Sequence, residues 1–225
     1  MFLGHYGVAF GTKRAAPRTS LGTLTFAAQF LDELWPVLLL LGVEQVRIVP
    51  GLTAANPLDF VSYPISHSLV MAIVWALLIG LAYLVVRRDR RGAWVVGAAV
   101  LSHWFLDVLV HRPDLPLWPG GGPLVGLGLW SRVGLSMVLE ALIFGGGLLI
   151  YLRTTRAADR IGSWGLWSMV AVLVLFFLAA ALGPPPPSPR ALALSSLGLW
   201  LFVPWSWWVD RHRAVVSRHR SRTKR

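Results

Sequence analysis

Residues 65–86 read ISHSLVMAIVWALLIGLAYLVV, a run that is almost entirely apolar after its first four positions. At about 1.5 Å per residue, a helix of this length crosses a hydrocarbon core of roughly 30 Å. The run ends at residues 87–91, RRDRR, whose charges favour water or lipid headgroups over hydrocarbon. The stretch therefore predicts a transmembrane helix with a basic connection at its end.

Five further apolar runs have the same character, at residues 21–43, 93–110, 133–152, 164–183 and 191–209. Hydrophobic residues make up 56% of the chain and the mean hydropathy is +0.63, which is more apolar surface than a soluble domain of this size can bury. The 12 Trp residues suit a membrane interface. The predicted fold class is all-α, a polytopic integral membrane protein with about six transmembrane helices in contact with the lipid bilayer.

Basic residues are divided unequally between the two predicted sides of the membrane. Of the 21 Lys and Arg residues, seventeen lie in the N-terminal segment, the second and fourth connections and the C-terminal tail, and four lie on the opposite side. The positive-inside rule then predicts a bacterial-type inner (plasma) membrane protein with both termini cytoplasmic. Because the basic residues cluster between apolar runs, the net charge of +11 favours membrane anchoring over nucleic acid as a partner.

Ionisable side chains occur within the first four predicted spans, whereas the last two contain none. Such residues are costly at membrane depth unless they face protein, a partner or water, so each is a functional candidate. The set is Asp32, Glu33, His67, His103, Asp107 and Glu140. Counting from the inner helix ends places four of them in one layer about 15–21 Å deep, namely Asp32, His103, Asp107 and Glu140.

The sharpest local pattern is SHWFLD at residues 102–107. His103 and Asp107 are four positions apart and therefore project from one helix face, as two ligands of a single metal would. The alternative is a hydrogen bond between the two that neutralises a buried polar pair. With no Cys in the chain, any metal site must use His and carboxylate ligands.

Two features near the N-terminus point toward the same layer. Pro36 displaces the carbonyl of Asp32 from helical hydrogen bonding, which favours a polar cavity beside that acid. If residues 1–11 enter the membrane from Lys13 as a short re-entrant helix, His5 reaches a depth of about 12 Å. His5 would then approach Asp32 and His103.

Three motifs together resemble one family. Gly4-His5-Tyr6, Ser66-His67-Ser68-Leu69 and the SHWFLD element with Trp118-Pro119 after it resemble the YdjM-like, LexA-regulated inner-membrane proteins that are predicted to be metal-dependent hydrolases. The resemblance covers roughly the first 150 residues. It implies a metal site formed by His5, Asp32, His67, His103 and Asp107. It also implies hydrolysis of a phosphoester or lipid-linked substrate, since the family is described as distantly similar to zinc-dependent phospholipases C.

The mixture of imidazole and carboxylate ligands suits Zn²⁺ first and Mn²⁺ second. Three carboxylates are candidates for the general base, and the sequence does not rank them: Glu140, Asp114 and Glu33. Arg112 and His111 are candidates for binding the substrate. The chain divides into residues 1–152 with the site, residues 153–210 with the last two spans, and the basic cytoplasmic tail 211–225.

Two other functions fit the same residues. Membrane carboxylates and histidines also form ion or proton sites in transporters, and Gly145-Gly146-Gly147 could allow motion or close packing. Alternatively, the polar set is structural and organises the packing of four helices.

Overall fold

The computed structural model describes residues 1–216. Within that range six helical segments are long and apolar enough to cross a membrane, which confirms the all-α, multi-pass architecture. A short helix, α1 (Leu3–Thr12), comes first. The spans are α2 (Leu21–Leu40), α3 (Leu69–Arg87), α4 (Arg90–Val110), α5 (Val133–Thr154), α6 (Arg160–Leu182) and a composite sixth, Pro189–Arg211.

The sixth span is not one continuous α-helix. It consists of α7 (Pro189–Ser196), a 3₁₀ segment (Leu197–Leu201) and α8 (Phe202–Arg211). Pro204 lies in the first turn of α8, where the ring and the missing N–H oppose an uninterrupted α-helix. The helix also runs past its predicted end and includes Asp210, whose carboxylate lies 2.6 Å from Nζ of the buried Lys13.

Helix α3 begins four residues later than the apolar run predicts. The Oγ of Ser68 accepts the N–H of Met71 and caps the helix at Leu69. His67 consequently lies in the loop before α3 and not inside the helix. From that position its ring reaches the side chains of α4.

Helix α1 lies where the sequence predicts a short re-entrant helix. Its residues are mostly buried, and it packs against α5 through small residues. A Cβ atom on Gly7 would come within 2.5 Å of the carbonyl oxygen of Ile143, so only glycine allows this approach. Gly147 of α5 meets Gly7 in the same way, whereas Gly145 and Gly146 have open space beside them. The sequence left motion and close packing as possible roles for this glycine run. Gly147 serves close packing.

Within residues 1–216, three pairs of short antiparallel strands lie outside the spans. Strands β1 (Gln45–Ile48) and β2 (Leu58–Ser62) pair in the first connection, and β3 (Leu115–Trp118) pairs with β4 (Gly121–Val125) in the third. Strand β5 (Thr155–Ala157) pairs with β6 (Arg213–Val215), so the start of the predicted basic tail is bound to the fourth connection. The rest of that tail, residues 217–225, lies outside the described residues.

Two apolar cores hold the spans together. One joins α2, α3 and α4 around Leu24, Val96 and Val100. The other joins α1, α5, α6 and α8. Helix α1 contributes Ala9 to the first core and Phe10 to the second, which places it between them.

Candidate metal centre

All five sequence-predicted metal ligands converge beside α1. His5 comes from α1, Asp32 from α2, His67 from the loop before α3, and His103 and Asp107 from α4. Four of the side chains are fully buried, and Asp32 is 24% exposed. Asp32 therefore forms the accessible edge of the cluster.

Four potential donor atoms lie close to one another. Oδ1 of Asp32 lies 3.5 Å from Nε2 of His67 and 3.6 Å from Nε2 of His103. Oδ2 of Asp107 lies 3.6 Å from Nε2 of His67 and 3.2 Å from Nε2 of His103. Ligand atoms on a tetrahedral ion at bond lengths of about 2.0–2.2 Å are about 3.3–3.6 Å apart. Each of these four distances is close to the separation of two ligands on one ion.

In each imidazole, the hydrogen bond made by Nδ1 determines whether Nε2 is available as a metal ligand. Nδ1 of His103 lies 2.8 Å from the carbonyl oxygen of Ala28, which can only accept a hydrogen bond. Nδ1 must therefore carry a proton, which leaves Nε2 as the ring nitrogen available to bind a metal. That Nε2 atom makes no hydrogen bond with any residue of the described range.

His67 is oriented in the same way through two further residues. Its Nδ1 lies 2.7 Å from Oγ of Ser66, and this hydroxyl donates to Oε2 of Glu44 at 2.6 Å. Oε1 of Glu44 accepts the backbone N–H groups of Ile65 and Ser66. Such a carboxylate behind a histidine is typical of the outer shell of metal sites. Neither Glu44 nor Ser66 was predicted as a site residue, although Ser66 belongs to the Ser66-His67-Ser68-Leu69 motif.

His5 faces the other oxygen of Asp107. Its Nε2 lies 3.2 Å from Oδ1, and the amino group of Met1 lies 2.5 Å from the same oxygen. The His5 ring stacks on the His103 ring with 3.6 Å between centroids and 7° between planes. The cluster therefore contains two overlapping trios, His5–His103–Asp107 and Asp32–His67–His103.

A cavity of about 530 Å³ adjoins the cluster. Asp32, His67 and Asp107 line its polar end, together with Glu140. Aromatic and apolar side chains form much of the remaining wall, and they come from α2, β2, the 3₁₀ turn before α5, α6 and the sixth span: Trp35, Phe60, Trp130, Phe177, Leu192 and Leu199. Residues 153–210 therefore contribute to the site although they carry none of its predicted ligands.

The three candidate bases occupy different surroundings. Glu140 lines the cavity, and its two oxygens accept the N–H groups of Phe2 and Gly4 at 2.8 Å each. Glu33 is fully buried, does not line the cavity, and its carboxylate oxygens have no hydrogen-bond partner among residues 1–216. Asp114 accepts hydrogen bonds from Tyr63, His111 and Arg112 in the third connection.

The two candidate substrate-binding residues also differ. His111 lines the cavity, and burial lowers the pKa of its imidazole. Arg112 does not line the cavity; it pairs with Asp59 and Asp114, which ties the β1–β2 hairpin to the end of α4. Burial next to Asp114 raises the pKa of Tyr63, so that its hydroxyl remains a donor in this network.

Comparison with known proteins gives one match. The family profile described as YdjM inner membrane protein matches residues 9–184, which is more than half of the chain. The matched range contains Asp32, His67, His103, Asp107 and Glu140, and it begins after His5. No curated protein and no solved structure matches the chain.

Proposed function

The chain belongs to the YdjM inner membrane protein family, and we propose that it is a membrane-embedded, metal-dependent hydrolase of a phosphoester substrate. One observation carries the proposal. The Nε2 atoms of His67 and His103 lie 3.2–3.6 Å from carboxylate oxygens of Asp32 and Asp107, and all four are potential metal ligands. Acceptors that face one another in a buried site are stabilised by a cation placed between them.

The four donors would hold one divalent ion. Two imidazoles and two carboxylates without thiolates suit both Zn²⁺ and Mn²⁺, and Zn²⁺ is the ion proposed in preference. When bound, the ion would lower the pKa of a coordinated water and stabilise negative charge on a phosphoryl group. His5 would position Asp107 through its hydrogen bond, or share a second ion with Oδ1 of Asp107.

Glu140 is the proposed general base, because of the three predicted carboxylates it is the one that lines the cavity. Each of its oxygens accepts one backbone N–H and keeps a further lone pair. In hydrolysis the oxygen of water bonds to phosphorus while the ester P–O bond breaks. Glu140 takes the proton of the water, and the leaving alkoxide is protonated in turn.

The cavity favours an amphiphilic substrate. Its polar end at Asp32 and His67 suits a phosphoester, and the wall of Phe60, Trp130 and Phe177 suits an apolar portion. Residues 53–57 and 183–186, from the first and fifth connections, lie around the same cavity. With both termini cytoplasmic, the part of the cavity formed by residues 53–57 and 183–186 would face the non-cytoplasmic side of the membrane.

Activity and metal content measured on one preparation test the proposal. Purified protein is loaded with Zn²⁺ and assayed for phosphate release from phosphatidic acid in mixed micelles and from glycerol 3-phosphate in solution. We expect turnover of the lipid that is lost with a chelator, restored by Zn²⁺ and absent in His103→Ala. A metal-loaded protein that hydrolyses neither compound overturns the proposed activity.

A further inference from the structure

A second, smaller cavity lies at the opposite ends of the helices. It has a volume of about 330 Å³ and is lined by Arg18, Tyr83 and residues 87–91. Arg18 comes from the connection between α1 and α2, and the rest come from the end of α3 and the start of α4. Five guanidinium groups and one carboxylate therefore surround a single concavity.

The charges of these arginines are not neutralised by the protein. In the part of the chain that the structure describes, Arg18, Arg87, Arg88, Arg90 and Arg91 make no side-chain hydrogen bond or ion pair. Asp89 caps α4, with its Oδ1 accepting the N–H of Gly92 at 3.1 Å. The single carboxylate is thus committed to the helix, and the cavity keeps a large excess of positive charge.

A side-chain contact and a tight turn hold the arginines close to one another. The Tyr83 hydroxyl lies 2.9 Å from Oγ1 of Thr19, which fixes the connection between α1 and α2 against α3 beside Arg18. Arg88 has φ 52°, the only positive φ of a non-glycine residue in the described range, and it reverses the chain between α3 and α4. Glycine would adopt this conformation without steric cost. An arginine here places one more cation at the cavity at the expense of local backbone strain.

The cavity lies at the membrane interface. Val85 and Val86, just before it, are 69% and 77% exposed, and Trp94, one turn after it, is 79% exposed. Exposed aliphatic side chains beside an exposed indole mark the boundary between hydrocarbon and headgroups. A ligand in this cavity would have its anionic group among the arginines and an apolar part beside Val86 and Trp94.

We propose that this cavity binds the phosphate of an anionic phospholipid headgroup. The chemistry is charge-assisted hydrogen bonding from several guanidinium groups to phosphate oxygens. A topology signal requires only charge on one side of the membrane, whereas headgroup binding also requires the concave arrangement. The two roles therefore make different predictions for arginines on the same face that lie away from the cavity.

A charge-matched pair of variants tests the proposal. The cavity variant is Arg18→Gln/Arg87→Gln/Arg91→Gln, and the control is Arg153→Gln/Arg156→Gln/Arg160→Gln, three exposed arginines on the same side. Both are purified in mild detergent and titrated with short-chain phosphatidylglycerol and phosphatidylcholine, with bound lipid counted by native mass spectrometry. Thermal unfolding of both variants reports whether the fold is retained.

We expect the wild type to prefer phosphatidylglycerol, and the cavity variant to lose at least about tenfold in affinity, since each basic residue near an anionic surface contributes about fivefold. The control should stay within about twofold of the wild type, and inorganic phosphate at millimolar concentration should not displace the lipid. Equal losses in the two variants, or no lipid preference in the wild type, overturn the proposal. Displacement by inorganic phosphate overturns the lipid as the source of the anion.

Discussion

Nε2 of His103 and Oδ2 of Asp107 lie 3.2 Å apart, one helical turn along α4, yet Nε2 has no hydrogen-bond partner among the described residues. Nδ1 of the same ring donates to the carbonyl oxygen of Ala28, so Nε2 is the nitrogen left to bind a ligand. A cation bound between this nitrogen and the carboxylate would satisfy both buried groups. The first prediction tests whether one is bound.

Replacing His103 or Asp107 with alanine should remove bound metal. We expect about one or two Zn²⁺ or Mn²⁺ ions per wild-type chain, measured by plasma mass spectrometry, and loss of at least one in each variant. His111→Ala is the matched control, because His111 lines the same cavity but belongs to neither trio. Wild-type protein without metal but with normal thermal stability would favour the structural role for the cluster.

Ser66→Ala should weaken metal binding without removing a ligand. The substitution breaks the connection from Glu44 through Ser66 to Nδ1 of His67, and outer-shell changes of this kind cost about 10- to 100-fold in affinity. Competition with a chelator of known affinity measures the change. Ser68→Ala is the control from the same motif: it should cost about 1 kcal/mol of stability through the lost cap of α3 and leave affinity unchanged. Equal affinities for the two variants would remove the proposed role of Ser66.

Glu140→Gln should separate the reaction from metal binding. Loss of a general base lowers turnover by about 10²- to 10⁴-fold, while the ion should remain bound. Because the amide NH₂ group replaces one of the two oxygens and cannot accept a hydrogen bond, the N–H of Phe2 or Gly4 loses its acceptor, and we also expect about 1–3 kcal/mol lower stability. Glu33→Gln, away from the cavity, should retain activity. Full activity in Glu140→Gln would exclude Glu140 as the base.

Gly7→Ala should loosen α1 from α5. The new Cβ would meet the backbone of Ile143, and overpacking of this kind costs about 1–3 kcal/mol. Gly11→Ala is the control one turn further along, since its Cβ would make only an ordinary contact of 3.6 Å with Gly147. Thermal unfolding in detergent measures both. Indistinguishable stabilities would show that α1 does not pack as closely as described.

The orientation can be tested with reporter fusions after Arg91 and after Pro187. The distribution of Lys and Arg predicts a cytoplasmic signal at Arg91 and an external signal at Pro187. The first position follows α3 and the second precedes α7, so they should lie on opposite sides. A cytoplasmic signal at Pro187 would contradict the proposed topology.

The sequence by itself determined the six spans, since length and hydropathy suffice to recognise a membrane-crossing helix. It also determined that His103 and Asp107 share a helix face, because a spacing of four is a local property of an α-helix. A short helix around His5 was predicted from the apolar residues there, and the structure contains it as the mostly buried α1. The ends of helices were less predictable: the start of α3 depends on the cap at Ser68, so His67 lies outside the helix.

Only the tertiary structure decided how the polar residues are distributed among partners. Arg112 was a candidate for phosphate binding, but Asp59, fifty-three residues earlier, pairs with it. Glu140 accepts N–H groups from the start of α1, and Glu44 reaches His67 through Ser66. Each contact joins residues from different segments, and hydropathy and helical spacing carry no information about which segments pack together. The physical reason is that a buried polar atom bonds to whichever partner the packing of the helices brings within about 3 Å.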